Sequence, residues 1–249
     1  MGRAFEFRKA RKLKRWSTMA KTFTRIGKDI VVSVKEGGPN PESNSRLRAI
    51  IQNAKSANMP KENILRAIKN ASEKTTENYK EITLEGYGPH GIAVIIDCTT
   101  DNNNRTVGNI RSYFNKANGN LGTNGSVEFM FNRYCLFKIK KSSIDIDNLE
   151  LDLIDYGLEE IVFDSEEEVL CIYGNYASFG SIQSELEKRD IEIISSEFER
   201  IPTTFKELSI EQKNEVYKFL EVCENDEDVQ KLYHLSLIHI SEPTRRTPI

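Results

Sequence analysis

The 249-residue chain has no run of eighteen apolar residues, so no stretch of it reads as a membrane-spanning helix. Its opening, strongly charged from Met1 to Lys28, lacks the apolar core of a signal peptide, which sets the expectation of a cytoplasmic protein. Cys98, Cys135, Cys171 and Cys223 include no C-x-x-C pair and have no neighbouring histidine, which excludes the common zinc frameworks. They read as reduced, packed thiols. With only 3 histidines, a catalytic triad has few candidates, and His90 in "YGPHG" has no serine or cysteine nucleophile beside it. "GNLGTNGSV", with Gly119, Gly122 and Gly125, lacks the Lys-Ser/Thr ending of a phosphate loop and reads as a helix stop followed by a tight loop. "DNNNRT", starting at Asp101, fails as a calcium loop because Arg105 and Thr106 stand where an oxygen ligand and a glycine belong. Asp97 and Asp101 read as a turn and a cap, not as paired acids. The expectation is therefore no catalytic residue, no metal, no cofactor and no small-molecule substrate.

What is present is a soluble-type composition, 38% hydrophobic and 29% charged, with a strong charge asymmetry. Ten of the 35 Lys and Arg, but only one of the 38 acidic residues (Glu6), fall in Met1–Lys28, so that this head is +9 and the remainder −12. Arg3, Arg8, Lys9, Arg11, Lys12, Lys14, Arg15, Lys21, Arg25 and Lys28 form a basic block of the kind that binds phosphates.

From Ser17 to Glu36 the apolar residues Phe23, Ile26, Ile30, Val31 and Val34 recur at helical spacing, and Gly37-Gly38-Pro39 ends the run. A second helix is read from about 43 to 57 and a third from Pro60, placed in its first turn. Arg46, Arg48, Lys55 and Lys61 continue the positive surface. "SEKTTENYKE" then reads as a polar connector. Beyond it strands and helices alternate: 134–140, 146–155, 158–163, 168–174, 178–189 and 191–199 give βαββαβ, a ferredoxin-like order. Strands at 92–98 and 126–131 and a helix at 106–117 precede this unit; a short strand near Phe205, a helix at 209–223 and "VQKLYH" follow it. The reading is a multidomain α+β protein. It has a basic helical domain at 1–75, a discontinuous α+β domain at 80–133 plus 201–234, and an inserted ferredoxin-like domain at 134–200.

Three consecutive amides and an arginine exceed what one turn and one cap require, although Asn104 or Thr106 would serve as the cap. Asn102, Asn103 and Arg105 beside a helix start suit phosphate or base edges and form a second candidate contact. The acidic ferredoxin-like insert suits a protein partner better than a polyanion.

The segments "KTFTRIGKDIVVSVKEGGPNPESNSRLRAIIQNAKSANMPKENILRAIKNA" and "EGYGPHGIAVIIDCTTDNNNRTVGNIRSYFNKANGNLGTNGSVEFMF", with the later "DVQKLYH", resemble the YebC family. Its bacterial members are called probable transcriptional regulators, and its mitochondrial members activate translation of a cytochrome oxidase subunit. The resemblance implies three domains and a nucleic-acid-binding regulator of gene expression, a DNA-binding transcriptional regulator or a ribosome-associated factor bound to ribosomal RNA. The chain departs from the family opening G-H-S-K-W at Gly2-Arg3-Ala4-Phe5-Glu6-Phe7, so no contact by that His, Lys or Trp carries over. Where His90 stands the family often has glycine. "LSLIHISEPTRRTPI", residues 235–249, does not resemble the family and reads as a non-native tail without a packing partner.

Overall fold

The computed structural model describes residues 3–73, 78–141, 144–165 and 167–236, with side chains from residue 18 onward. The chain divides into two compact units at Tyr79/Lys80.

The first unit is three helices, α1 (Arg3–Gly37), α2 (Ser45–Ser56) and α3 (Lys61–Ser72). Its core joins Ile30, Val31 and Val34 of α1 to Leu47 and Ala54 of α2 and Ile64 and Ala71 of α3. These positions recur every three or four residues, which turns one face of each helix inward. The basic head is therefore a continuation of α1 in its backbone, longer than the helix read from Ser17. Asn44, 5% exposed, fastens the unit. Its Oδ1 accepts from Leu47 N at 3.0 Å as the N-cap of α2, and its Nδ2 donates to Ser33 O at 2.8 Å and Gly38 O at 2.9 Å. Pro60 lies one residue before α3, as its cap, rather than inside the first turn.

The second unit holds two antiparallel four-stranded sheets, built from β1 (Lys80–Tyr87), β2 (Ala93–Thr100), β3 (Asn120–Leu121), β4 (Phe131–Lys140), β5 (Leu158–Asp164), β6 (Val169–Asn175), β7 (Ile193–Pro202) and β8 (Val229–His234). The first sheet runs β3-β1-β2-β8 and the second β5-β6-β4-β7. The second, with α5 (Ile146–Ile154) and α6 (Phe179–Lys188), is a βαββαβ unit with ferredoxin-like strand order, inserted between the parts that build the first. Its core is Cys135, Phe137, Ile139, Leu153, Leu170, Ile172, Ile182 and Leu186.

On the first sheet lie α4 (Asn103–Lys116) and α7 (Ile210–Glu224). Phe114 of α4 and Phe219 of α7 meet edge to face at 4.9 Å over Ile92, Val94 and Ile96. The opposite face packs Ala93, Ile95 and Tyr233 against Val127 and Phe131. Two expectations are corrected here. No strand is expected from the sequence before residue 92, yet "KEITLEGY" is strand β1, paired along its length with β2, and only its first two residues fall in the expected connector. Residues 126–131 are no strand of this sheet: Glu128–Met130 is a 3-10 turn, and Phe131 already opens β4 of the other sheet. Near Phe205 only a single parallel bridge forms, Lys206 to Ser236.

That bridge also corrects the reading of the chain's end. Leu235 is 7% exposed, donates its N–H to Ala93 O at 3.2 Å and accepts from Lys206 N at 2.8 Å. Leu235 and Ser236 thus have packing partners, and 237–249 lie outside the described residues.

Candidate nucleic-acid interface

In the helical unit the cationic side chains fall into three situations. Those of Arg3, Arg8, Lys9, Arg11, Lys12, Lys14 and Arg15 lie outside the described residues, on backbone that is helical. Lys21, Lys55, Lys61, Arg66 and Lys69 are exposed, and Arg25 is half-buried. Lys28, Arg46 and Arg48 hold defined partners within the unit. Lys28, 8% exposed, sets its Nζ 5.4 Å from the centre of the Tyr79 ring; Arg46 pairs with Glu36 at 2.7 Å; Arg48 Nη1 donates to Pro41 O at 3.1 Å. Residues 57–60 join α2 to α3, with Asn58 in the left-handed region at φ 58°. A connector of four residues falls within the length that joins the two helices of helix-turn-helix units. The exposed side of α3 offers Lys61, Leu65, Arg66 and Lys69.

The second candidate cluster is the start of α4. Asn102 is the N-cap, its Oδ1 accepting from Arg105 N at 3.1 Å, a role expected of Asn104 or Thr106. Asn103 and Asn104 are exposed in the first turn. Thr106 is instead fully buried and belongs to a clamp centred on Asp228, which is 5% exposed. Oδ2 of Asp228 lies 2.7 Å from Thr106 Oγ1, 3.1 Å from Thr100 Oγ1 and 3.0 Å from Arg105 Nη2. Arg105 also donates to Asp101 at 2.6 Å, and these two carboxylates, Asp228 foremost, hold its guanidinium yet more firmly charged. Asp226 accepts from Tyr113 Oη at 2.9 Å on the next turns of α4. "DNNNRT" is therefore first a structural joint between α4 and the turn before β8. Asn102 and Arg105 are committed to it, while Asn103 faces outward. No signal in the sequence pointed to Asp226 or Asp228, because the joint spans more than a hundred residues.

The glycine loop follows the same pattern of close fit. The left-handed residue at the helix stop is Asn118, at φ 56°, while Gly119 lies where a Cβ would come 2.6 Å from Tyr87 O. His90 takes φ 60°, a left-handed conformation that glycine adopts at less cost, and its Nε2 lies 2.7 Å from Glu215 Oε2. Burial pushes the Cys135 and Cys171 thiols up to about 11 and the Cys223 thiol up to about 12, so none is a ready nucleophile at neutral pH. Among the described residues no helix is long and apolar enough to cross a membrane, and no group of three or more His, Cys, Asp or Glu is placed to hold a metal ion.

Residues 79–235 match the family described as the TACO1/YebC second and third domain, and residues 3–74 match the TACO1/YebC protein N-terminal domain. A Flavobacterium johnsoniae protein named probable transcriptional regulatory protein is 65% identical over 234 residues, covering 94% of this chain and 98% of its own. A Parabacteroides distasonis protein of the same name is 54% identical over 235 residues, covering 94% and 96%. The crystal structure of a conserved hypothetical protein from Aquifex aeolicus matches with a TM-score of 0.74 at 34% identity, over 91% of this chain and 93% of that one. The chain belongs to the TACO1/YebC family.

Proposed function

We propose that the protein is a non-enzymatic regulator of gene expression that works in the cytoplasm and binds nucleic acid through its helical unit, with duplex DNA as the first target. The observation that carries this reading is the division of charge between the two units. Residues 1–79 hold 18 Lys and Arg against 7 Asp and Glu, and residues 80–249 hold 17 against 31. Phosphates are attracted by the first unit and repelled by most of the second. The names of the curated relatives, probable transcriptional regulatory proteins, agree with it. So do the four-residue connector between α2 and α3 and the exposed cations of α3. The neutral, buried thiols support a role without covalent catalysis. The acidic ferredoxin-like insert is suited to a protein partner.

A second reading, a ribosome-associated factor bound to ribosomal RNA, is favoured by one feature of the second unit. The sequence of α4, NNRTVGNIRSYFNK, carries no carboxylate at all inside an otherwise acidic body.

The test is binding of duplex DNA, duplex RNA and ribosomes by the full chain at several salt concentrations. A head that neutralises about six phosphates loses on the order of a thousandfold in affinity between 50 and 200 mM salt. Reversing Arg8, Lys9, Arg11 and Lys12 to Glu should abolish binding while the melting temperature holds. Salt-insensitive binding, or binding that the reversals leave intact, refutes the proposal; preference for ribosomes over duplex DNA moves the second reading to first place.

A further inference from the structure

The buried face of α4 is Thr106, Ile110 and Phe114. On the far side, Asn104, Gly108, Arg111 and Asn115 follow one another at intervals of four, three and four residues, which aligns them in a single stripe, and all four are exposed. A neighbouring stripe, Arg105, Asn109, Ser112 and Lys116, is partly committed within the chain: Arg105 to Asp101 and Asp228, and Asn109 to Asp226 at 3.4 Å. The first stripe has no such commitment. Among the described residues Asn104, Arg111 and Asn115 have no side-chain partner in the molecule.

Gly108 is the informative member. Glycine is among the costliest residues in a helix interior, and an exposed helix position ordinarily takes a better helix former. Among the described residues nothing lies within 4 Å of where its Cβ would be, so their packing does not require the glycine. What a missing side chain in the middle of an outward stripe does provide is close approach to something outside, flanked by an amide that both donates and accepts and by an arginine that donates.

The charge around the stripe narrows the occupant. α4 has no carboxylate, and beside the committed Arg105 it carries Arg111 and Lys116, both exposed, which fits a polyanion. Its neighbour α7, in contact through Phe114 and Phe219, carries Glu211, Glu215, Glu221 and Glu224 against Lys213 and Lys218, and the turn beyond it adds Asp226 and Glu227 beside the buried Asp228. Deep insertion of α4 into a DNA major groove would bring those carboxylates against the flanking phosphate walls. A wide, shallow groove whose floor presents hydroxyls and base edges leaves them outside, and that describes the minor groove of A-form RNA, where an asparagine amide can pair with a 2′-hydroxyl.

We propose that the Asn104–Gly108–Arg111–Asn115 stripe of α4 is an RNA contact, laid along the minor groove of an A-form duplex and separate from the basic head. It rests on the nucleic-acid reading above and names a second site and its polymer.

The experiment uses the full chain with an RNA duplex of about 16 base pairs and the DNA duplex of the same sequence, followed by fluorescence anisotropy at fixed salt. Gly108→Ala separates folding from binding. It should raise the melting temperature, because alanine favours the helix and has open space, and lower RNA affinity by about tenfold, the equivalent of one or two lost hydrogen bonds. Asn104→Ala with Asn115→Ala should lose a similar factor with an unchanged salt slope, and Arg111→Ala should reduce that slope by about one. DNA affinity should not move with any of them. If the head reversals abolish RNA binding while Gly108→Ala and the asparagine pair bind RNA like the parent chain, this proposal falls and the head reading survives. Equal losses for RNA and DNA overturn the choice of polymer, and a parent chain that binds neither duplex overturns both readings.

Discussion

Replacing Glu85 tests whether a buried carboxylate ties the two sheets together. Glu85 lies on β1, is 4% exposed, and accepts from the backbone N–H groups of Gly125 at 2.7 Å, Val127 at 2.8 Å and Glu128 at 2.9 Å. These donors belong to the segment that leaves the first sheet and enters β4 at Phe131, so one side chain sets the path of the connection. A hydrogen bond to a charged acceptor contributes a net ~1.5–3 kcal/mol, and an orphaned buried donor costs ~1–3 kcal/mol. Gly125 and Glu128 are exposed, so water can replace the carboxylate there, whereas Val127 is fully buried and has no such substitute. Glu85→Ala should therefore cost about 3–4 kcal/mol, less than the sum of three bonds, which is a large fraction of a typical 5–15 kcal/mol stability. Glu85→Gln keeps the shape and one acceptor but turns an amide N–H toward a donor, at about 2 kcal/mol. Urea unfolding should show these losses as a lowered midpoint at unchanged slope, with faster hydrogen exchange at Val127. The exposed control Glu159→Gln should stay within about 0.5 kcal/mol. If Glu85→Ala loses under about 1 kcal/mol, or Glu85→Gln equals the parent chain, the carboxylate does not hold the connection.

Two further outcomes follow from burial. Ending the chain after Ser236 should leave stability unchanged, while ending it after His234 should cost about 1–3 kcal/mol, because it removes Leu235 from its place against Ala93 and Tyr233; equal midpoints for the two truncations in urea refute that packing. Stability should also fall above pH 9, since Cys135 and Cys171 keep their protons up to about 11 when folded and only to 9.0 as free thiols. The unfolded state ionises first, so their contribution is whole below pH 9 and lost as pH rises toward 11. A chain with both cysteines replaced by alanine should show a shallower decline in the same unfolding series, and an identical one refutes the assignment.

The parts of the fold legible in the sequence are those that local periodicity dictates. α2, α3, α5, α6 and α7 and strands β2, β5, β6 and β8 were readable because each repeats apolar residues at the period of its own geometry. β1 was not, although Ile82 and Leu84 alternate toward the core of the first sheet. The positions that alternate with these are Glu81, Thr83 and Glu85, and the strand follows a run of polar residues with no break in composition. A buried glutamate reads as surface until its three donors are known, and those lie about forty residues onward. The 126–131 segment failed for the complementary reason. Val127 and Phe131 are apolar and buried as in a strand, but they cover the open face of one sheet on the way to the other.

The candidate sites divide along the same line between local and distant causes. A cap is local, so "DNNNRT" announced a helix start correctly and only the choice of capping residue shifted, to Asn102. What Arg105 does is decided partly by the local Asp101 and partly by Asp228, a carboxylate beyond the inserted domain in sequence, whereas composition alone assigned it outward. Asp228 takes up three of the polar groups at that helix start, so the surplus of amides and cations that suggested a contact must be sought further along α4. There the one-sided placement of Thr106, Ile110 and Phe114 leaves Asn104, Gly108, Arg111 and Asn115 facing away from the sheet. The glycine among them carries the weight of the reading, since in sequence it is a weak helix residue and only the empty space around it shows that no described residue requires it.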